Sequence, residues 1–192
     1  MKRLTLSEYF INYIEPYNKV LSTHHFNSIY VYPLISSELG SQMKSVLYLH
    51  PEEEYKKNKP KILPLNHTHI PGSVCCVGSK NDFLGIEVKC ADETGQFFFD
   101  EIQIQSYINS KFVQPEFFIF LSKENFSYFT FMEFRVELFP KIKSSKNVIS
   151  QNEIDASGRD VFNLKSESTK AEQSFTTAIN TLWSSKKTKL AS

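Results

Sequence analysis

Only six glycines, three cysteines and a single tryptophan occur among the 192 residues. So little glycine argues against a low-complexity chain, and no internal period marks a repeat array. Three cysteines, two of them adjacent at Cys75 and Cys76, cannot frame a disulfide-stapled fold. They fit a reducing compartment, cytosol or nucleus. No apolar run approaches the length that a membrane-spanning helix needs, and no membrane partner is expected. In the opening MKRLTLSEYF, Ser7 and Glu8 interrupt the apolar stretch of a signal peptide. An excess of one charge is missing too, since the net charge is +1. It is unevenly shared: residues 141–192 carry nine basic and five acidic side chains, residues 1–140 thirteen and sixteen. Nucleic-acid affinity comes largely from phosphate neutralisation, so the acidic first part could bind only with its lysines gathered on one face.

Catalytic signatures are equally scarce. There is no glycine-rich phosphate loop, no HExxH and no GxSxG, so no catalytic residue, metal or cofactor is expected. His67, His69, Cys75 and Cys76 are the right residue types for zinc. Adjacent cysteines on a strand point to opposite faces, however, and cannot both reach one tetrahedral ion. Small buried thiols are the plainer reading.

What the chain does have is aromatic side chains. Seventeen Phe and nine Tyr raise the aromatic share to 14%, which favours strands and is too rich for a disordered chain. The length suits one domain plus appendages.

Residues 4–21 place Leu6, Phe10, Tyr13 and Ile14 at helical spacing, with Ser7 as cap and Pro16 expected to end or kink the helix. SIYVYPLI (28–35) reads as a strand, 36–50 as a turn and a second apolar run, and the charged 51–61 as a solvated loop. Strands are expected at 69–79, 83–91 and 96–100, with turns at Ser79–Asp82 and Asp92–Gly95. On the second of these, Leu84, Ile86, Val88 and Cys90 share the inward face. A short helix follows at 101–113, carrying Ile104, Ile108 and Phe112. A hairpin then turns at Lys123–Asn125. Its second arm alternates Met132, Phe134, Val136 and Leu138 against Glu133, Arg135 and Glu137.

The chain therefore divides into an N-terminal extension packed on the barrel (1–65), the barrel (66–140), a polar linker (141–168) and an amphipathic helix (169–187). Thr169 and Glu172 have capping-box spacing before that helix. Three strands, a helix and two strands is the order of a five-stranded Greek-key OB-fold barrel, giving a mainly β class with flanking helices. Gly72 or Gly78 could bend the long first strand, and Gly95 could take left-handed backbone geometry in the turn.

The stretch HIPGSVCCVGSKNDFLGIEVKCADETGQFFF resembles the start of the OB domains in the middle subunit of replication protein A and in the Stn-type subunit of the CST telomere-capping complex. Gly72, Val74 and Val77 match their Gly-x-Val-x-x-Val strand, and Asp92, Glu93, Thr94 and Gly95 match their turn. The likeness spans about 66–140. Phe97, Phe98 and Phe99 stand where the family often has Trp, and about 65 residues precede the barrel, which is unusual for it: an extension packed on the barrel, a dimerisation element or the sign of a different fold. The resemblance implies a non-catalytic subunit handling single-stranded DNA in the nucleus, at telomeres or in replication. It also implies other OB-fold subunits as partners.

OB barrels stack bases on outward aromatics beside lysines that follow the backbone. The candidates are Lys80, Phe83, Lys89, Lys123, Phe129, Phe131 and Arg135, against the alternative that the aromatics are core. Phe175, Ile179, Leu182 and Trp183 form the stripe of the last helix. Either they dock a partner subunit, as the helix after the barrel does in those families, or they fold back on this chain. A scaffold in a chromatin or transcription complex, without nucleic-acid contact, is the rival reading.

Overall fold

A threonine or serine three residues before a glutamate opens three of the helices. In each, the hydroxyl accepts the glutamate N–H while the carboxylate accepts the cap N–H, which satisfies two donors the helix leaves open. Thr5–Glu8, Thr130–Glu133 and Ser150–Glu153 all do this. The computed structural model describes residues 3–39, 43–48, 73–77, 82–100, 104 and 115–191.

Helix α1 begins at Leu6–Tyr9, widens to a π turn at Phe10–Ile14 and closes in a 3-10 turn at Glu15–Tyr17. Its cap is Thr5 rather than Ser7, and Asn18 ends it in the left-handed region at φ 50°. Helix α2 runs through Thr23–Phe26, a π turn at Asn27–Val31 and Tyr32–Leu39. Helix α3 comprises Phe131–Glu133, a π turn at Phe134–Leu138 and Phe139–Ser144. Helices α4 (Gln151–Asp155) and α5 (Leu164–Ala191) follow.

Each π turn ends two residues before a proline: Pro16, Pro33 and Pro140. The residue preceding each proline donates five residues back, Glu15 to Phe10, Tyr32 to Asn27 and Phe139 to Phe134. A proline offers no N–H and its ring pushes on the carbonyl four residues earlier, so a widened turn absorbs the defect; α2 and α3 then continue past Pro33 and Pro140, whereas α1 closes in the 3-10 turn that holds Pro16. This corrects the strand expected at 28–35. Phe26, Tyr30, Leu34 and Ile35 are buried at helical spacing, and that packing outweighs the strand preference of the Ile-Tyr-Val-Tyr run.

The strands are β1 (Met43–Tyr48), β2 (Ser73–Val77), β3 (Asp82–Cys90), β4 (Gln96–Phe98), β5 (Phe117–Leu121), β6 (Asn125–Thr130), β7 (Val148–Ser150) and β8 (Val161–Asn163). Strands β3, β5, β6 and β8 form a mixed sheet, which β2 and β1 extend on the β3 side. β3 and β5 are parallel, and the other neighbours in this sheet are antiparallel. β4 pairs with β7 in a separate ribbon. The class is mixed helix and strand, and no closed barrel is found among the described residues.

Helices cover both faces of the sheet. Leu84, Ile86 and Val88 of β3 share one face with Phe117, Ile119 and Leu121 of β5, under α1, α2 and α5. The opposite face carries Phe118, Phe120 and Phe129 under α3, α4 and the ribbon. There Phe118 stacks flat on Phe134, with centroids 3.8 Å apart and planes at 7°. The Asp92–Gly95 turn is present with Gly95 at φ 79°, and it delivers β4 to β7.

Three further expectations change. The second hairpin arm stops at Thr130 and becomes α3, because Thr130 and Glu133 cap a helix there. The stretch 141–168 carries the end of α3, β7, α4, β8 and the start of α5. The last helix starts at Leu164 rather than 169. Asn163 caps it by accepting from the Lys165 and Ser166 N–H groups, while Glu167 accepts the Asn163 N–H. Of the helix expected at 101–113, only Ile104 is described, and it is helical and buried.

Candidate nucleic-acid and partner interface

The alternation expected of β3 and the three phenylalanines survives. Leu84, Ile86, Val88 and Cys90 line one core, Phe97 and Phe99 enter the other, and Phe98 stands 56% exposed. The reverse side of β3 faces protein rather than solvent. Glu87 is buried, and Lys89 Nζ lies 3.7 Å from its carboxylate and 4.8 Å over the Phe99 ring. Lys89 is thus engaged inside the molecule. Phe129 is fully buried in the second core and Phe131 packs half-buried against it. Lys123 is exposed at the hairpin turn, and Arg135 is exposed on α3. Phe83 is the second residue of β3, opposite Cys76, with its side chain outside what is described; Lys80, His67 and His69 lie outside the described residues altogether. The described nucleic-acid candidates therefore do not converge on one face.

The stripe of α5 folds back on its own chain. Phe175, Ile179 and Trp183 are buried against the sheet, and Leu182 packs half-buried beside them. Phe175 meets Phe117, Phe126 and Tyr128 at ring-centroid distances of 5.6, 5.9 and 5.1 Å. A partner cannot reach these rings while the chain is folded this way, which corrects the docking role expected of them. The strand residues Phe117, Phe126 and Tyr128 supply the apolar cover that a detached helix would have lacked.

Polar side chains secure this arrangement. Arg3 bridges Glu38 at 2.8 Å and Glu172 at 2.6 Å, and Glu172 also accepts the Leu6 N–H at 2.5 Å. Tyr9 Oη and His25 Nδ1 are 2.9 Å apart. Burial, with a lesser effect from the neighbouring His24, holds the His25 imidazole below its usual range. Burial pushes the Cys90 thiol up to about 11, against the opposing pull of the Thr23 hydrogen bond and the Lys89 charge. It stays protonated at neutral pH and is a poor nucleophile. Among the described residues, no three His, Cys, Asp or Glu side chains could hold a metal ion.

The outer face of α3 was not foreseen as a site. Met132 and Val136 are 60% and 66% exposed, one turn apart, while Phe134 and Leu138 fill the core. A two-residue period puts all four on one side, whereas a helical period separates them. Glu133 and Glu137 are both tied to Arg159, at 2.5 and 3.1 Å. Arg135 has no ion pair among the described residues. An open apolar pair thus lies beside an uncommitted guanidinium.

Comparisons with protein-family models, curated proteins and solved structures found no match.

Proposed function

We propose that this chain is a non-catalytic docking subunit of a multi-protein assembly that handles single-stranded DNA in the nucleus, in telomere protection or replication. The observation that carries the docking role is the outer face of α3. Met132 and Val136 are left open at helical spacing on an element whose other side is committed to core. Apolar side chains of this kind, next to an arginine with no ion pair among the described residues, have the character of interface anchors. The DNA setting rests on the resemblance, and the OB barrel belongs to the same proposal. Their support is the antiparallel β2–β3 pair, the left-handed turn at Gly95 and the β5–β6 hairpin, in that order along the chain. The rival, a scaffold without nucleic-acid contact, draws on the burial of Phe129 and the internal engagement of Lys89.

The test compares the tagged full chain with its Met132→Glu/Val136→Glu variant by quantitative mass spectrometry of co-purified proteins. Surface substitutions of this kind change stability by about 0.5 kcal/mol or less, so the melting temperature should hold. Stoichiometric partners are expected to fall about tenfold, the cost of losing two apolar contacts at an interface. An unchanged partner set would remove α3 as the docking face.

A further inference from the structure

The β4–β7 ribbon continues from the end of α3. Phe98 is paired with Val148 in the ladder, has most of its ring in solvent and makes no ring contact among the described residues. Just before β7 the backbone takes two successive left-handed residues, Lys146 at φ 55° and Asn147 at φ 66°. Asn147 accepts the Phe99 N–H, which fixes Lys146 close to the ribbon. Lys143 is exposed in the last turn of α3. Neither lysine has an ion pair among the described residues. Asp100, the acid nearest to Phe98 in sequence, is exposed and is the one nearby charge that opposes the lysines within residues 96–100.

We propose that Phe98, Lys143 and Lys146 form a contact site for single-stranded nucleic acid, with one base stacked on Phe98 and the lysines on the flanking phosphates. A lysine in the last turn complements the helix dipole, which accounts for Lys143 but not for Lys146 beyond the helix end. An exposed ring without an aromatic neighbour offers a π face that any base can use, and flexible ammonium groups beside it follow a phosphate backbone. The net basic charge of residues 141–192 supplies a favourable field. An acidic protein segment would use the lysines but gain little from a lone flat ring. The inference rests on the single-stranded DNA reading above and supplies it with a surface that the dispersed candidates lack.

The experiment measures fluorescence anisotropy of labelled oligo-dT and oligo-rU, about 15 nucleotides long, with the full chain from ~50 to 200 mM salt. Phe98→Ala should weaken binding about tenfold and Phe98→Trp should retain it, as stacking requires. Lys143→Ala/Lys146→Ala should reduce the slope of log affinity against log salt by about 1.4, roughly 0.7 per lost phosphate contact. All three positions are surface side chains, so thermal melts should match the wild type. Binding that survives every substitution would overturn this site while leaving the DNA reading intact. No binding by the wild type would overturn both. Competition by poly-glutamate equal to that by oligonucleotide, with Phe98→Ala silent, would assign the surface to acidic protein and overturn the proposal.

Discussion

Asp92 shows how one exposed carboxylate organises a turn. Its Oδ1 accepts the N–H groups of Thr94 and Gln96, each at 2.9 Å, and the Thr94 hydroxyl at 2.8 Å. These bonds, that of the Gln96 N–H first, hold its carboxyl below the usual range. Glu153 is lowered chiefly by the Ser150 N–H and Glu167 chiefly by the Asn163 N–H. A carboxyl with a depressed folded value contributes stability that is present above its unfolded value, near pH 4, and is lost as pH falls through the folded value. Asp92→Asn should therefore be less stable than the wild type at neutral pH, with the gap closing below about pH 4. Melting temperatures from pH 7 down to acid measure it, and a gap independent of pH would show that the charge plays no part. Gly95 is legible at this scale as well: the turn needs φ 79°, and a side chain there would be strained although its nearest neighbour, Gln151 Cβ, is 3.9 Å away.

The period of α3 decides what it presents to solvent, and substitution can read that period directly. Phe134 is buried and stacked, so Phe134→Ala should cost about 3–5 kcal/mol. Val136→Ala should cost about 0.5 kcal/mol or less, because its side chain is mostly exposed. Urea unfolding would separate the two, and equal large losses would restore the strand. The sequence carried this signal in the four-residue spacing of Phe134 and Leu138, but the alternating charges imitated a strand. Capping boxes were legible in the same limited way. Thr130–Glu133 and Ser150–Glu153 cap helices, whereas Thr169 lies inside α5 and Glu172 serves Arg3 and Leu6 instead. The motif states which bonds could form; the surroundings select the ones that do. Pro33 misled for a related reason, whereas Pro16 does close α1 as expected. Pro33 follows an apolar helix that tolerates it through a widened turn, a local adjustment that propensity alone does not anticipate.

For the molecule as a whole, α5 is a wall of the core. It closes one face of the sheet through Ala171, Phe175, Ile179 and Trp183. A chain ending after Asn163 should lose cooperative unfolding and near-UV ellipticity, because β3, β5 and β6 would expose a face of large apolar side chains. Phe175→Ala should cost about 3–5 kcal/mol while keeping the fold in reach of measurement. A truncated chain that melts cooperatively at the wild-type temperature would mean that α5 is an appendage after all.

The amino-acid sequence determined the local geometry. It set the inward face of β3, the hairpin turn at Lys123–Asn125, the left-handed Gly95 and the in-out-in order of Phe97, Phe98 and Phe99, because alternation and turn chemistry act between near neighbours. Tertiary structure decided the rest. It placed β4 against β7, brought β3 beside β5, turned the arm after Thr130 into α3 and laid α5 over the sheet. Those outcomes depend on which distant apolar surfaces meet and exclude water. That free energy belongs to pairs of faces remote in sequence, and no short window contains both members of a pair.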